Sequence, residues 1–367
     1  MEWREGTVDR ELSRWPGAVE YAVHVAGGDD RPLRALAYPA VTGAPHVGDR
    51  VLLNVSAAVR GLGTGGVALV VAVPERLPPD PEHRRGHIVK ARYTPQQQLF
   101  LAVDEQDSPH HAVLSGPAEE GDLGGMPVVV ADLHSALPAI LAGLRLERPE
   151  LRVAYLMTDG GALPIAFSRT VAGLAESGWL HTTITVGQAY GGQYEAVTLH
   201  SGLVAARYAL GADVAVVVQG PGNVGTDTRW GFSGIAAGEA LTAATTLHGR
   251  GVASLRVSDS DTRQRHRGIS HHSLTAYGRV ALGAFDIPVA AGCNAFQKRI
   301  VTEARELVGA AAGHPRLALV EQDGIREALD ACPVTLSTMG RGLEVDPEPF
   351  VAAAVAGRFA ARLVEVS

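Results

Sequence analysis

From Met126 onward the chain alternates short apolar runs with longer amphipathic ones, an order that few folds accommodate. Runs at 127–131, 152–157, 182–186, 214–218, 253–257, 288–291, 317–320 and 334–337 are dominated by aliphatic and β-branched residues. Strands of that composition are buried on both faces, as in a parallel sheet covered by helices on either side. The stretches between supply the helices. Leu199, Leu203, Ala206 and Leu210 recur at helical spacing and make one buried stripe. Pro164 suits the first turn of a helix carrying Phe167, Val171 and Leu174, with Gly178 as its stop. Asp346 as N-cap and Pro347 behind it open a last helix with Phe350, Val351, Val355 and Phe359 inward. The pattern predicts an α/β fold over residues 123–367: a doubly wound, mostly parallel, three-layer sheet.

Residues 1–122 read differently. Short β-type runs at 19–25, 33–38, 50–55, 66–73, 87–93 and 99–103 alternate with turn signals. These signals are Gly27-Gly28-Asp29-Asp30, Gly43-Ala44-Pro45, the glycine-rich 61–66 and Pro78-Pro79-Asp80-Pro81. That punctuation predicts a small β-rich, barrel-like domain. A barrel that binds nucleic acid needs a basic groove and aromatic platforms. Here 12 basic residues face 17 acidic ones and aromatics are sparse, so packing or homo-oligomerisation is the expected role. Residues 108–125 are expected to be the linker, with His110-His111 solvated.

Composition narrows the function classes. A net charge of −7 argues against sequence-independent duplex binding. Two cysteines, Cys293 and Cys332, are too few for a disulfide framework or a four-thiolate zinc site, and both are expected to be reduced and buried. The charged start lacks the apolar core of a signal peptide, and no run is long enough to span a membrane, so a cytoplasmic protein is expected.

Two loops concentrate the chemistry, both leaving the carboxyl ends of expected strands, where open α/β sheets bind ligands. The first is Gly220-Pro221-Gly222-Asn223-Val224-Gly225-Thr226-Asp227-Thr228-Arg229. Its glycines match a dinucleotide fingerprint, but 226–231 delay the helix and the nearest acid, Glu239, falls inside that helix, which disfavours a nicotinamide or flavin site. What survives is anion binding: Gly220, Gly222 and Gly225 turn N–H groups inward while Thr226, Thr228 and Arg229 add donors. The alternative is a tight turn with no ligand.

The second loop, residues 256–272, holds Asp259, Asp261, Arg256, Arg263, Arg265, Arg267 and three histidines. Ser270 as N-cap places His271 and His272 at the first two helical positions, where the helix dipole keeps them neutral. Asp259 and Asp261 with one of these histidines would make an O,O,N set for a divalent ion. Adjacent helical residues diverge by about 100°, so both histidines are not expected on one ion. Pairing of the aspartates with Arg263, Arg265 and Arg267 competes with that set, and the sequence assigns no metal and no cofactor. Rim loops at Asp132-Leu133-His134-Ser135, Thr158-Asp159-Gly160-Gly161 and 187–195 complete the sheet edge. The strands before the two main loops are consecutive, hence expected to be neighbours, with their loops sharing one pocket.

At Gly220-Pro221-Gly222 with Gly225-Thr226, and from Ser258-Asp259-Ser260-Asp261 to Arg265-His266-Arg267-Gly268-Ile269-Ser270-His271-His272, the chain resembles a bacterial domain-of-unknown-function family, number 3866 in that series. Val47-Gly48-Asp49 and Thr338-Met339-Gly340-Arg341-Gly342 extend the resemblance over nearly the whole chain. It implies no activity, so the expected function rests on the residues. The first expectation is an enzyme acting on a small anionic molecule by hydrolysis or group transfer. The Gly220–Arg229 loop would hold the anion, Arg263, Arg265 or Arg267 would neutralise charge, His271 or His272 would move protons, and Asp259 or Asp159 would orient that histidine, with Asp261 counted in the same catalytic set. The alternative is a non-catalytic ligand sensor that signals to a partner through the barrel.

Overall fold

The computed structural model describes every residue except 28–30, 63–65, 81–85, 293 and 366–367. Gly28-Asp29-Asp30, Gly63-Thr64-Gly65, Pro81 and Cys293 therefore lie outside the described residues. Two compact units are present: Met1–Arg85 with Ala91–Leu99 and Ala166–Ala172, and Gly86–Lys90 with Phe100–Ile165 and Gly173–Ser367.

In the first unit, β1 (Trp3–Trp15), β2 (Ala18–Val25), β3 (Leu33–Ala37), β4 (Arg50–Asn54) and β5 (Ala68–Ala72) close into a barrel in the order β1-β2-β3-β5-β4. Val8, Val19, Tyr21, Val23, Val51, Leu53 and Val70 fill it. Only β3 and β5 run parallel. The long strand β1 is not foreseen from the sequence, because most of its residues are exposed and charged side chains interrupt any apolar alternation. Its backbone bonds to both β2 and β4, and two register shifts against β2 bend it around the barrel.

The second unit is the expected parallel sheet. Its strands are β6 (Pro127–Ala131), β7 (Val153–Thr158), β8 (Thr182–Thr185), β9 (Tyr194–Glu195), β10 (Val214–Gln219), β11 (Arg250–Ala253), β12 (Ala284–Ala290) and β13 (His314–Val320). They lie in the order β9-β8-β7-β10-β6-β11-β12-β13, every neighbouring pair parallel. Helices α1 (Leu137–Glu147), α2 (Leu199–Tyr208), α3 (Ala236–Thr246), α4 (His271–Thr275), α5 (Ala295–Ala310) and α6 (Glu348–Leu363) cover it. Residues of α2, α3 and α5 share one core with the sheet, while α1 and α6 pack on each other elsewhere. Gly143 and Gly357 permit that second contact: a Cβ at Gly143 would stand 1.8 Å from the Ala354 carbonyl oxygen, and one at Gly357 would stand 1.9 Å from that of Ile140.

Several expectations need correction. Strands β10 and β11 are not neighbours, because β6 inserts between them and separates their ends by two strand spacings, about 9.6 Å. The run 253–257 is not a strand. Ser254 N still bonds Val130 O, but Arg256 N goes to the Ser273 hydroxyl, and Val257–Ser258 pairs with Gly268–Ile269 in a separate ribbon. Nor does 334–337 join the sheet; Ser337–Thr338 pairs with Arg341–Gly342 across Met339-Gly340, both at positive φ as a type I′ turn requires, and β9 takes the eighth place.

Asp346 does not cap α6, since its buried carboxylate accepts from Ser258 Oγ and Arg341 instead. Pro164 precedes a 3-10 turn, Ile165–Phe167, and the helix behind it spans Arg169–Glu176. The expected linker is not free chain: Leu114, Ala118 and Leu123 are buried in the α/β core. His111 bonds Asp104 O, and His110 packs edge-on against Tyr194. Among the described residues no helix is long and apolar enough to cross a membrane.

Candidate functional site

Strand β6 is the switch point of the sheet. The chain leaves it through α1, away from the core shared by α3, which follows β10, and by Ala276 and Tyr277, which follow β11 and α4. Ligands in open α/β sheets bind where such connections part. The central strands end there in buried polar groups: Asp132 Oδ2 just after β6, Gln219 Oε1 at the end of β10 and Ser254 Oγ just after β11. None of these three atoms has a hydrogen-bond partner among the described residues, which is uncommon for buried polar groups.

The loop after β11 carries an imidazole cluster. Ser270 caps α4, its hydroxyl accepting from His272 N as the sequence predicts. His271 and His272 nonetheless converge, with ring centroids 4.4 Å apart, and His266 stands 5.0 Å from each. The angular argument fails because Cβ atoms tilt toward a helix N-terminus, so side chains on the first two helical residues project past its end and can meet there. One ring nitrogen from each histidine lies within 4.8 Å of those of the other two. The Nδ1 of His266 is held at 2.7 Å by Ser270 Oγ. The Nδ1 of His272 accepts from Arg256 at 3.1 Å and stands 3.6 Å from Asp132 Oδ2. His271 Nε2 is buried with no hydrogen-bond partner.

Burial, followed by the positive charge of Arg256 and Arg263, depresses His266 to about 3. Burial, then the neighbouring His272 and Arg265, depresses His271 to about 4. The His266 and His271 rings are neutral at pH 7, and for His271 the first cause is burial rather than the helix dipole that the sequence suggests.

The two main loops meet despite the intervening strand. Phe232, at the end of the glycine loop, stacks on His272 with centroids 3.9 Å apart and planes at 6°. Asp227 pairs with Arg265 at 2.7 Å. Around this junction opens a cleft of about 780 Å³ lined by Arg229, Arg265, Arg267, His271, Arg279 and Glu306 among others. In the glycine loop, Gly222 sits at φ +96°, a conformation glycine adopts freely, and Gly225 bridges to Phe232. Gly220 packs against Ala162, whose carbonyl oxygen lies 2.4 Å from where a Cβ would stand. The hydroxyls of Thr226 and Thr228 contact each other and bond Gly231, so they close the loop tip.

The remaining sequence candidates part company. Asp261 is buried and held by Arg263 and by Arg341, both at 3.0–3.1 Å. Burial raises its pKa, but those arginines outweigh burial and leave the carboxyl far below its usual range. Arg263 is thereby committed to Asp261, whereas Arg265 and Arg267 reach the cleft. Asp259 is exposed and its N–H points to Asp346, so the O,O,N set with Asp261 is not assembled. Asp159 accepts from Gln188 N at the exit of β8 and takes no part in the cluster. Sequence reasoning passed over His266, Phe232 and the position of Asp132 beside His272. The spacing His266-x4-His271-His272 was the available signal, and only the fold shows that the rings meet.

A search of curated proteins returns no match. The family described as "Protein of unknown function (DUF3866)" matches residues 34–357 of the 367, which takes in barrel strands β4 and β5, the parallel sheet and the histidine loop. On that match the chain belongs to this family.

Proposed function

We propose that this protein is an enzyme acting on a small anionic molecule, one bearing phosphate or carboxylate, by hydrolysis or group transfer. The observation that carries the reading is the cleft whose lining holds His271 together with Arg229, Arg265, Arg267 and Arg279, four guanidinium groups against the carboxylates of Asp227, Glu303 and Glu306. Arg229 and Arg279 have no ion-pair partner among the described residues, so both guanidinium groups are free for an anion. Arginine forks suit phosphate and carboxylate, and fixed positive charge stabilises negative charge that develops in a transition state. A neutral imidazole at the cleft wall is the group such a reaction needs to move a proton. Orientation falls to Asp132 and Arg256, which flank His272, rather than to Asp259, Asp261 or Asp159. The glycine loop contributes Arg229 and its backbone, its threonine hydroxyls being occupied.

The test is turnover by the purified full chain on a panel of phosphate monoesters, phosphodiesters and carboxylate esters, read as released phosphate or acid. Arg229→Ala is expected to lower kcat/KM by roughly 10²-fold, the scale for removing one charge-stabilising group. His271→Ala is expected to lower kcat by roughly 10²–10⁴-fold. An anion that raises the melting temperature without being consumed would replace the enzyme with the ligand-sensor reading. An anion panel that produces neither turnover nor stabilisation would remove the anion from both.

A further inference from the structure

We propose that His266, His271 and His272 form a binding site for one divalent transition-metal ion of the zinc class. Three observations converge. Nitrogens from the three rings already lie within 4.8 Å of one another. Three nitrogens sharing a tetrahedral ion at about 2.1 Å stand about 3.4 Å apart, so closure needs movements of about an ångström, within reach of side-chain rotation. Two of the rings already have partners of the outer-shell kind: Ser270 Oγ holds Nδ1 of His266 at 2.7 Å, and Asp132 Oδ2 stands 3.6 Å from Nδ1 of His272. Finally, two buried polar atoms, His271 Nε2 and Asp132 Oδ2, lack a hydrogen-bond partner among the described residues, and an ion gives a role to both.

The proton balance is explicit. Without an ion, Arg256 donates to His272 Nδ1, so the proton of that neutral ring sits on Nε2. Coordination through Nε2 needs that lone pair, so the proton moves to Nδ1. It then points at Asp132 Oδ2, which is 3.6 Å away and has no other donor. A short rotation converts the Arg256 contact into the carboxylate–imidazole–metal arrangement typical of such sites. The negative charge of Asp132 offsets the buried guanidinium of Arg256, 4.0 Å from it. An all-imidazole set selects zinc, cobalt, nickel or copper rather than magnesium or calcium, which take oxygen ligands. Three protein ligands also leave a fourth position open, the arrangement of catalytic rather than structural sites. His271 lines the cleft, so that position faces the proposed anion, and with the ion bound His271 is a ligand rather than a proton carrier. Metal binding itself does not depend on any turnover.

The experiment uses the full chain, stripped with chelator and titrated with Co²⁺ and Zn²⁺. Elemental analysis, calorimetry and the visible spectrum of the Co²⁺ form are the readouts. One ion per chain is expected, with the intense absorption of four-coordinate cobalt. His271→Ala, a partly exposed position, is expected to weaken binding by at least about 100-fold while circular dichroism shows the fold retained. Asp132→Asn is expected to weaken binding by about 10–100-fold, the effect of losing an outer-shell partner. Should His266→Ala not fold, ring-nitrogen NMR of the unmutated chain still reads all three imidazoles, which must shift together at one equivalent. Substoichiometric binding, or a stoichiometric ion unaffected by His271→Ala, overturns the site.

Discussion

At the scale of single residues, burial sets the acid–base character of the sheet edge. His134 follows β6, and its Nδ1 donates to the carbonyl of Gln219 at 3.2 Å, with the Tyr155 hydroxyl at 3.3 Å. Burial, only partly opposed by that hydrogen bond, depresses its pKa to about 4. The folded value lies below the unfolded one, so the neutral ring stabilises the fold fully above about pH 6.5. That contribution drains away as the pH falls toward 4. The slope from one such group is at most about 1.4 kcal/mol per pH unit. Replacing His134 with Gln should therefore flatten the acid limb of the stability–pH curve by up to that slope, measured by urea denaturation between pH 6.5 and 4. An unchanged limb would mean that the ring is protonated in the folded state. The aspartates show how little residue type alone reveals: Asp261 and Asp132 are both buried, yet one is saturated by arginine and the other has an unpaired oxygen.

At the scale of elements, the close crossing of α1 and α6 depends on two missing side chains. In a helix interior Gly→Ala gains about 1 kcal/mol of propensity. At Gly143 the new Cβ would meet a backbone carbonyl at 1.8 Å, which no side-chain rotation relieves. Overpacking of that kind costs about 1–3 kcal/mol, so it equals or exceeds the gain. Gly143→Ala should lower the melting temperature, and Gly357→Leu, a far larger intrusion against Ile140, should prevent the two helices from docking; thermal melts check both. A stabilised Gly143→Ala chain would show that the helices can separate freely. The loops obey the same logic of local competition. From Arg256 on the backbone donors turn to Ser273 and to a small ribbon, and this early departure from the sheet brings Arg256 to His272.

At the scale of the whole molecule, the division into units runs through the 86–99 region, where Gly86–Lys90 belongs with the sheet although Ala91–Leu99 does not. Lys90 explains that membership. Its fully buried ammonium donates to Thr185 O and Ala189 O at 2.8 Å and pairs with Glu195 at 2.7 Å, at the β8–β9 edge. Burial pushes the lysine down and the glutamate up, each opposed by the charge of the other. Lys90→Met should cost about 3–5 kcal/mol by leaving Glu195 unpaired, and adding Glu195→Gln should recover much of that loss. Because burial favours the protonated Glu195, the single variant should be hurt more at pH 8 than at pH 5. Denaturation of the single and double variants at both pH values measures this, and an additive double variant would show that the pair is uncoupled.

The amino-acid sequence by itself determined the architecture: apolar runs buried on both faces admit a parallel sheet between helices, and short punctuated runs before them admit a small barrel. It also made legible that Gly220–Arg229 and 256–272 gather hydrogen-bond donors and imidazoles after the strands. The Ser270 cap was legible because capping is decided by neighbours in the chain. Strand order was not legible, because nothing local records that β6 inserts between β10 and β11. Long, charged β1 was hidden for a related reason: backbone pairing on both sides holds it, and pairing leaves little mark on side-chain pattern. Which carboxylate stands beside the histidines was decided only in three dimensions. Asp259 and Asp261 are near in sequence, yet Asp132, more than 130 residues away, stands beside His272 because β6 ends beside β11. The meeting of three imidazoles likewise depends on how side chains project past the end of α4, a distance that no spacing in the sequence encodes.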